Sequence, residues 1–283
     1  MDQRDVTPLL SKVILFRSGG FGDILLTIPV LSILEIKFRE VMLCVPGKYH
    51  FLIKEFSSRI LLFDLDEGED QIIKHASGAT LLSFWDDPEW IKKWEDAGVS
   101  QTYIFNPRPQ NGEHFTKSII DRLGGSVSRF DLDRIWLMPK NNMPSTISGD
   151  LWIHPGSGSS DKNLALSSFL NFAEQWLDKQ EENRVFFSLG EADSSIMAKL
   201  NKTHYLNSTR IDICIFESLE SFYCKLAKHT GPFISNDTGP SHLAAMLGLQ
   251  THTFFKSTRP DIWAPLGPNV KIYCADSVPK RIL

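Results

Sequence analysis

The sequence has few cysteines, and neither these nor its histidines form a metal-binding motif. The four cysteines are Cys44, Cys214, Cys224 and Cys274. They are scattered without Cys-x-x-Cys spacing, which favours reduced thiols over a disulfide framework or a zinc site. The eight histidines include no His-x-x-x-His or His-Glu-x-x-His pattern. We therefore expect no metal site.

No hydrophobic run is long enough to cross a membrane. The most apolar segment, 24–36, is interrupted by polar residues and a proline and is shorter than the roughly 20 residues that a spanning helix needs. Residues 1–11 carry charges and a proline, and they lack the apolar core and small-residue cleavage site of an export signal. From these features we expect a cytoplasmic protein.

The charge balance lacks a basic excess. The 283 residues contain 30 Lys and Arg against 34 Asp and Glu, for a net charge of -4. The dense basic spots are pairs such as Lys92 and Lys93, so we expect no nucleic-acid partner. A hydrophobic content of 42% and a charged content of 23% describe an ordinary soluble globular protein, with length for one large or two medium domains.

Strand-like and helix-like segments alternate along the first half of the chain. The apolar run 12–17 leads into a glycine-rich turn at 18–23. Apolar residues near helical spacing follow, where Pro29 should kink the helix or begin a second helical piece. A further segment, 69–76, is interpreted as helical. Such alternation is typical of a parallel sheet with helices on both faces.

The alternation stops at a polar, proline-flanked stretch and then starts again. We place a linker there, at about 141–149, between a first domain at 1–140 and a second at 150–283. The second half again alternates, with a short strand expected near Tyr205. The predicted fold class is therefore α/β, with two doubly wound domains whose ligands would collect at the carboxyl ends of the strands, in a cleft.

Residues 231–248 predict a strand, a tight turn and a helix that Gly248 ends. Gly239 would let a ligand approach the backbone, and Pro240 suits the first helical position. The N–H groups of that first turn, together with the helix dipole, form a site for an anion such as a diphosphate. A helix cap by Asp237 or Thr238 explains the same pattern equally well.

Two glycine-rich loops carry the other candidate residues. Asp23 follows Gly22 at a helix start, where a carboxylate is either a helix cap or a general base. In the second loop, Gly156 and Ser157 would let backbone donors approach an oxyanion, and Lys162 would supply positive charge to a leaving phosphate. The alternative is a flexible loop with a surface lysine.

Together these motifs resemble glycosyltransferase family 9, the heptosyltransferase-type enzymes of the GT-B fold. The segment from Arg17 to Leu31 resembles the opening motif of the family. The loop from His154 to Lys162, the triplet ending at Glu191 and the run from Asp237 to Ala245 follow its second-domain order. The resemblance implies two Rossmann-like domains facing a central cleft, the first on the acceptor side and the second binding a nucleotide-sugar.

The resemblance also implies roles for individual residues. Asp23 would be the catalytic base, and Lys162 would stabilise the departing diphosphate without a metal. His242 would hydrogen-bond a phosphate or orient the turn. The implied donor-binding residues are Gly22, Gly156, Ser157, Lys162, Glu191, Asp237, Thr238, Gly239, Pro240, Ser241 and His242.

The activity implied is that of an inverting, metal-independent glycosyltransferase. Its nucleotide-sugar would be ADP-heptose, as co-substrate with no other cofactor, and its acceptor a cell-surface glycan or glycolipid such as the lipopolysaccharide core. A lipid-linked acceptor would bring the protein to the inner face of the plasma membrane as a peripheral protein. Two alternatives stay open. One is a non-catalytic nucleotide-sugar-binding or assembly protein with a degenerate acceptor site. The other is a dinucleotide oxidoreductase using the turn at 19–22, whose glycine spacing departs from Gly-x-Gly-x-x-Gly.

Overall fold

A computed structural model describes residues 10–138, 150–190, 193–203, 208–279 and 281–283. These residues form two compact units, the first made of 10–109 and 116–126, and the second made of 110–115 and the described residues from 127 onward. The predicted linker lies outside the described residues.

The boundary between the units differs from the prediction, because residues 127–138 lie in the second unit rather than in the first domain. The backbone N–H groups of Trp136 and Leu137 both donate to the carbonyl of Met246, at 2.9 and 3.1 Å. Both side chains are also buried. Backbone pairing and apolar burial therefore attach this segment to the second unit.

The first unit contains a five-stranded parallel sheet. Its strands are β1 (Leu10–Phe16), β2 (Phe38–Val45), β3 (Leu61–Asp64), β4 (Thr80–Ser83) and β5 (Gln101–Ile104). They pair in the order β3-β2-β1-β4-β5. Strands β1 and β4 end in continuous buried runs, as expected where helices cover both faces of a parallel sheet. The strand order reverses between β1 and β4, and such a switch point is where ligands bind in open α/β sheets.

The helices around this sheet are α1 (Phe21–Leu25), α2 (Ile28–Lys37), α3 (His50–Phe56), α4 (Pro88–Asp96) and α5 (Phe115–Arg122). Pro29 lies in the first turn of α2, which confirms that it begins a second helical piece. Its missing N–H costs nothing there, since that group has no partner within the helix. The predicted helix at 69–76 is wrong, because only a single 3-10 turn forms, at Ile73–His75.

The second unit contains a six-stranded parallel sheet. Its strands are β6 (Asp150–His154), β7 (Arg184–Leu189), β8 (Ile211–Ile215), β9 (Phe233–Asn236), β10 (Thr251–Phe255) and β11 (Val270–Cys274). They pair in the order β11-β10-β9-β6-β7-β8, which places the switch point between β6 and β9. The predicted strand near Tyr205 lies outside the described residues.

The helices of the second unit cover both faces of its sheet. They are α6 (Arg129–Leu132), α7 (Leu166–Leu177), α8 (Ser194–Leu200), α9 (Leu219–Leu226), α10 (Gly239–Met246) and α11 (Pro260–Trp263). Phe169 and Phe172 of α7 pack on Phe254 of β10 in the main apolar core. Two α/β units with parallel sheets confirm the predicted fold class. Within the described ranges, no helix is long and apolar enough to cross a membrane.

Candidate functional site

Asp23 lies in the segment that follows β1, one of the two strands at the switch point of the first sheet. It is the third residue of α1, and its Oδ2 accepts the backbone N–H of Gly20 at 2.8 Å. Gly19 has a φ of +129°, and a Cβ there would lie 2.7 Å from Oδ2, so the turn requires glycine at that position. Asp23 therefore does cap the helix start, and this contact leaves its other lone pairs available to side chains.

Two arginines bind the Asp23 carboxylate. Nη2 of Arg17 donates to Oδ1 at 3.0 Å, while Nη1 and Nη2 of Arg108 donate to Oδ1 at 2.8 Å and to Oδ2 at 3.3 Å. The exposed fraction is 1% for Arg17, 11% for Asp23 and 62% for Arg108. The Arg17 guanidinium also lies over the ring of Phe84, 4.1 Å from its centroid. Arg17 is a fixed part of the interior, whereas Arg108 reaches the carboxylate from the surface.

These contacts set the ionisation of the group. Burial alone would raise the pKa of Asp23, but the hydrogen bond from Arg108, the charge of Arg17 and the N–H of Gly20 outweigh it and lower the pKa. Burial lowers the pKa of Arg17 to about 10 despite the attraction of Asp23. Asp23 is therefore a carboxylate at neutral pH. Gly22, the residue before it, is partly exposed and lies within α1.

In the second unit, Asp237 follows β9 beside the switch point and gathers three side chains. Its Oδ2 accepts hydrogen bonds from Nζ of Lys162 at 3.2 Å and from Oγ1 of Thr258 at 2.5 Å, and Nε2 of His242 lies 3.6 Å from its Oδ1. Burial would raise the pKa of Asp237, but the contacts with His242, Lys162 and Thr258 outweigh it and lower the pKa. Asp237 thus holds the Lys162 ammonium beside the start of α10.

The start of α10 stays accessible while its capping groups are satisfied locally. Thr238, Gly239 and Pro240 are partly exposed, whereas Ser241 and His242 are buried. The hydroxyl of Ser241 donates to the carbonyl of Thr238 at 2.6 Å and accepts its N–H at 3.2 Å. Nε2 of His242 lies beside Asp237, and its role toward a phosphate or the turn stays a prediction. The first turn and the Lys162 ammonium together offer positive potential to an anion.

One buried amide fixes both ends of the loop that carries Lys162. The Asn236 Nδ2 donates to the carbonyl of Pro155 at 2.7 Å, and its Oδ1 accepts the N–H of Leu164 at 2.8 Å. Asn236 is fully buried at the end of β9. Sequence reasoning missed it, although a polar residue closing an apolar strand was the available signal. Thr258 was also missed, and its sequence context carried no signal.

A second carboxylate fills the space beside the same loop. The Oδ2 of Asp193 accepts the N–H of Gly190 at 2.8 Å, and a Cβ on Gly156 would lie 1.9 Å from its Oδ1. Burial raises the pKa of Asp193. The hydroxyl of Ser157 donates to the carbonyl of Ser159 at 2.6 Å, within the loop itself. Gly156 is therefore required by packing against Asp193, a constraint that its predicted role toward an oxyanion did not include.

Replacing Gly156 with alanine is expected to lower the free energy of unfolding by about 1–3 kcal/mol, because the added methyl overlaps the Asp193 carboxylate. In an Asp193→Ala background the same replacement should cost clearly less. Urea denaturation in a double-mutant cycle measures this coupling. Gly158→Ala is the control, since a Cβ there meets nothing within 4 Å. Equal costs of Gly156→Ala in both backgrounds would contradict the packing argument.

The structure thus brings Lys162, Asp237 and His242 together at the start of α10, and it places Asp23 in the first unit with two arginines that the sequence prediction did not include. Glu191 lies outside the described residues. Across the described ranges, no group of three or more His, Cys, Asp and Glu side chains is arranged to hold a metal ion.

Known proteins share this fold and part of this sequence. The profile of glycosyltransferase family 9 (heptosyltransferase) matches residues 145–281. The glycosyl transferase family 9 structure from Veillonella parvula DSM 2008 has a TM-score of 0.74 at 12% identity, covering 95% of this chain and 88% of that one. The E. coli ADP-heptose LPS heptosyltransferase II has a TM-score of 0.70 at 13% identity, covering 93% and 90%.

A third structure, E. coli heptosyltransferase WaaC with ADP, has a TM-score of 0.67 at 13% identity and covers 93% of each chain. Comparison by sequence with functionally curated proteins finds no match. The family match supports a glycosyltransferase of the heptosyltransferase type, and the structural matches show a shared fold. Residues 145–281 therefore match glycosyltransferase family 9, and the two α/β units have the fold of the heptosyltransferases along more than nine-tenths of the chain.

Proposed function

We propose that the protein is an inverting glycosyltransferase that moves heptose from ADP-heptose to a cell-surface glycan acceptor such as the lipopolysaccharide core. The observation that carries the proposal is the Lys162 ammonium, which Asp237 holds beside the accessible first turn of α10. The family match supports the transferase class, and a structurally similar heptosyltransferase has been solved with ADP. A lipid-linked acceptor would bring the protein to the inner face of the plasma membrane as a peripheral protein.

The second unit would bind the donor through its diphosphate. The partly exposed first turn of α10 would face the diphosphate, and the helix dipole adds positive potential beside the Lys162 ammonium. A fixed cation and fixed N–H dipoles stabilise the charge that develops on a leaving diphosphate, which is the task that a metal ion performs in other transferases. The proposed reaction is therefore metal-independent.

Asp23 would be the base of the transfer. As the acceptor oxygen attacks the anomeric carbon, its proton passes to the Asp23 carboxylate and the bond from that carbon to the diphosphate oxygen breaks. One displacement from the face opposite the leaving group inverts the anomeric configuration. The lowered pKa of Asp23 keeps the group ionised and ready to accept a proton, but it also weakens the base.

A thermal-shift panel of ADP, UDP, GDP, CMP and NAD tests the donor assignment. We expect ADP to raise the melting temperature most, because ADP is the nucleotide of the proposed donor. A ligand at about 100 times its Kd stabilises the native state by about 2.7 kcal/mol. Lys162→Ala should weaken ADP binding by about tenfold or more, since a charge-assisted hydrogen bond to phosphate contributes roughly 1.5–3 kcal/mol. Lys199→Ala, which removes an exposed lysine of α8, is the matched control.

Two outcomes of the panel would contradict the proposal. An ADP thermal shift that is unchanged in Lys162→Ala would contradict the assignment of the donor site to Lys162. A response to NAD that exceeds the response to ADP would instead favour the dinucleotide oxidoreductase.

A further inference from the structure

In this structure the Asp23 carboxylate has no position left for a substrate hydroxyl. A carboxylate offers about four lone-pair positions. Oδ1 receives Arg17 and Arg108, while Oδ2 receives the N–H of Gly20 and the second terminal nitrogen of Arg108. A base must hydrogen-bond to the hydroxyl whose proton it takes. One of these donors therefore has to leave before Asp23 can act.

Arg108 is the donor that can leave at the lowest cost. Gly20 donates from the backbone, and Arg17 is 1% exposed and stacked on Phe84, so water cannot replace its contacts. Arg108 lies in the loop after β5 and is 62% exposed, so water can take over its hydrogen bonds. Its departure would free one position on each carboxylate oxygen.

We propose that Arg108 is a positioning residue that blocks Asp23 at rest and moves onto an anionic group of the acceptor, a phosphate or a carboxylate, when the acceptor binds. The inference rests on the proposed function, since it concerns the same base. A guanidinium matches the geometry of either anion with paired N–H donors. The acceptor would thereby release the base only where its own hydroxyl is present.

The groups around Asp23 fix the direction of the effect. Arg17 faces it from the end of β1, Gly20 from the turn before α1 and Arg108 from the loop after β5, and burial together with the charge of Asp23 raises the pKa of the nearby Tyr49. Once Arg108 leaves, Arg17 and the N–H of Gly20 are the groups, among the residues that the structure describes, that still oppose the effect of burial on the pKa of Asp23. The pKa of Asp23 then rises, and the carboxylate becomes a stronger base near neutral pH.

Carboxyl ¹³C NMR of aspartate-labelled protein measures this directly, with the Asp23 signal assigned by its loss in Asp23→Asn. We expect Arg108→Gln to raise the pKa of Asp23 and Arg108→Lys to restore much of the original value. Arg59→Gln is the matched control, because Arg59 is an exposed arginine paired with the buried Glu35 in the same unit. An unchanged pKa of Asp23 in Arg108→Gln would overturn the proposal.

Inorganic phosphate serves as the probe for the anion. Its addition to the wild-type protein should draw Arg108 away and shift the Asp23 signal, whereas the signal of Arg108→Gln should stay where it is. A phosphate response that is equally large in Arg108→Gln would assign the anion to another group and overturn the proposal. Neither NMR measurement depends on sugar transfer.

Hydrolysis of ADP-heptose without acceptor gives a second readout. Water takes the place of the acceptor: its oxygen bonds to the anomeric carbon, the bond from that carbon to the diphosphate oxygen breaks, ADP leaves and the proton passes to Asp23. Arg108→Gln should raise this rate about three- to tenfold, a part of the about 10²–10⁴-fold that a general base contributes. Arg59→Gln should leave the rate unchanged.

The two readouts separate the inference from the function on which it rests. If the wild-type protein neither binds nor hydrolyses ADP-heptose, the proposed function fails, and the NMR titrations still decide whether Arg108 controls Asp23. If the wild-type protein hydrolyses the donor and Arg108→Gln does so at the same rate or more slowly, the blocking role is overturned and the proposed function stands.

Discussion

Replacing Asp23 with asparagine is expected to reduce sugar transfer by about 10²–10⁴-fold, because the proposed reaction would lose its base. Asparagine keeps a side-chain oxygen that can accept the N–H of Gly20, so α1 should still begin at the same residue. ADP binding should also persist, since the donor contacts are proposed for the second unit. Initial rates with ADP-heptose and acceptor, together with ADP thermal shifts, measure both effects.

The control for this variant is Glu35→Gln, which neutralises another buried carboxylate of the first unit that is paired with an exposed arginine. It should change the rate little. Wild-type transfer rates in Asp23→Asn would end the catalytic assignment. A protein that binds ADP but shows no transfer in either form would instead favour a non-catalytic nucleotide-sugar-binding protein.

The sequence was most informative where local chemistry decides the structure. Proline fixes its own φ and has no N–H. Pro29 therefore had to begin a helix or bend one, and Pro240 suited the first turn of a helix. Alternating strands and helices then predicted the parallel sheets. These features depend on neighbours within a few residues, so they can be derived without knowledge of the tertiary fold.

The edge strands β8 and β11 were not predicted, and the reason is physical. An edge strand pairs on one side and is less buried, so charged residues such as Asp212 and Lys271 are tolerated within it and obscure its apolar run. The helix expected at 69–76 failed for a related reason, because a segment of this length forms a helix only where tertiary packing supports it.

The side chains that bind Asp23 and Asp237 could not all be identified without the tertiary structure. Arg108 lies 85 residues from Asp23 along the chain, and Thr258 lies 21 residues from Asp237. Nothing in either local sequence indicates these contacts, because parallel strands bring their carboxyl ends to one edge of a sheet whatever their separation in the chain. The sequence could therefore predict the carboxylates but not all of the side chains that bind them.

Replacing Asp237 with asparagine is expected to lower the free energy of unfolding at neutral pH by about 2–4 kcal/mol. Removing one partner of a buried ion pair costs about 3–5 kcal/mol. The loss expected for Asp237→Asn is smaller, because Lys162 is one-third exposed and can turn toward water. Asp212→Asn is the control, since its exposed pair with Arg184 should contribute less than about 1 kcal/mol. Urea denaturation measures both, and equal losses in the two variants would contradict the argument.

The pH dependence of this loss separates charge from shape. The native pKa of Asp237 lies below its unfolded value of about 3.9, because its contacts with His242, Lys162 and Thr258 outweigh the effect of burial. A group with a lowered native pKa contributes its full stabilisation above the unfolded value and loses it as the pH falls through the native value. The stability difference between the wild-type protein and Asp237→Asn should therefore narrow below about pH 4. A stability difference that persists unchanged below about pH 4 would mean that the asparagine disturbs packing. The loss could then not be assigned to the ion pair between Asp237 and Lys162.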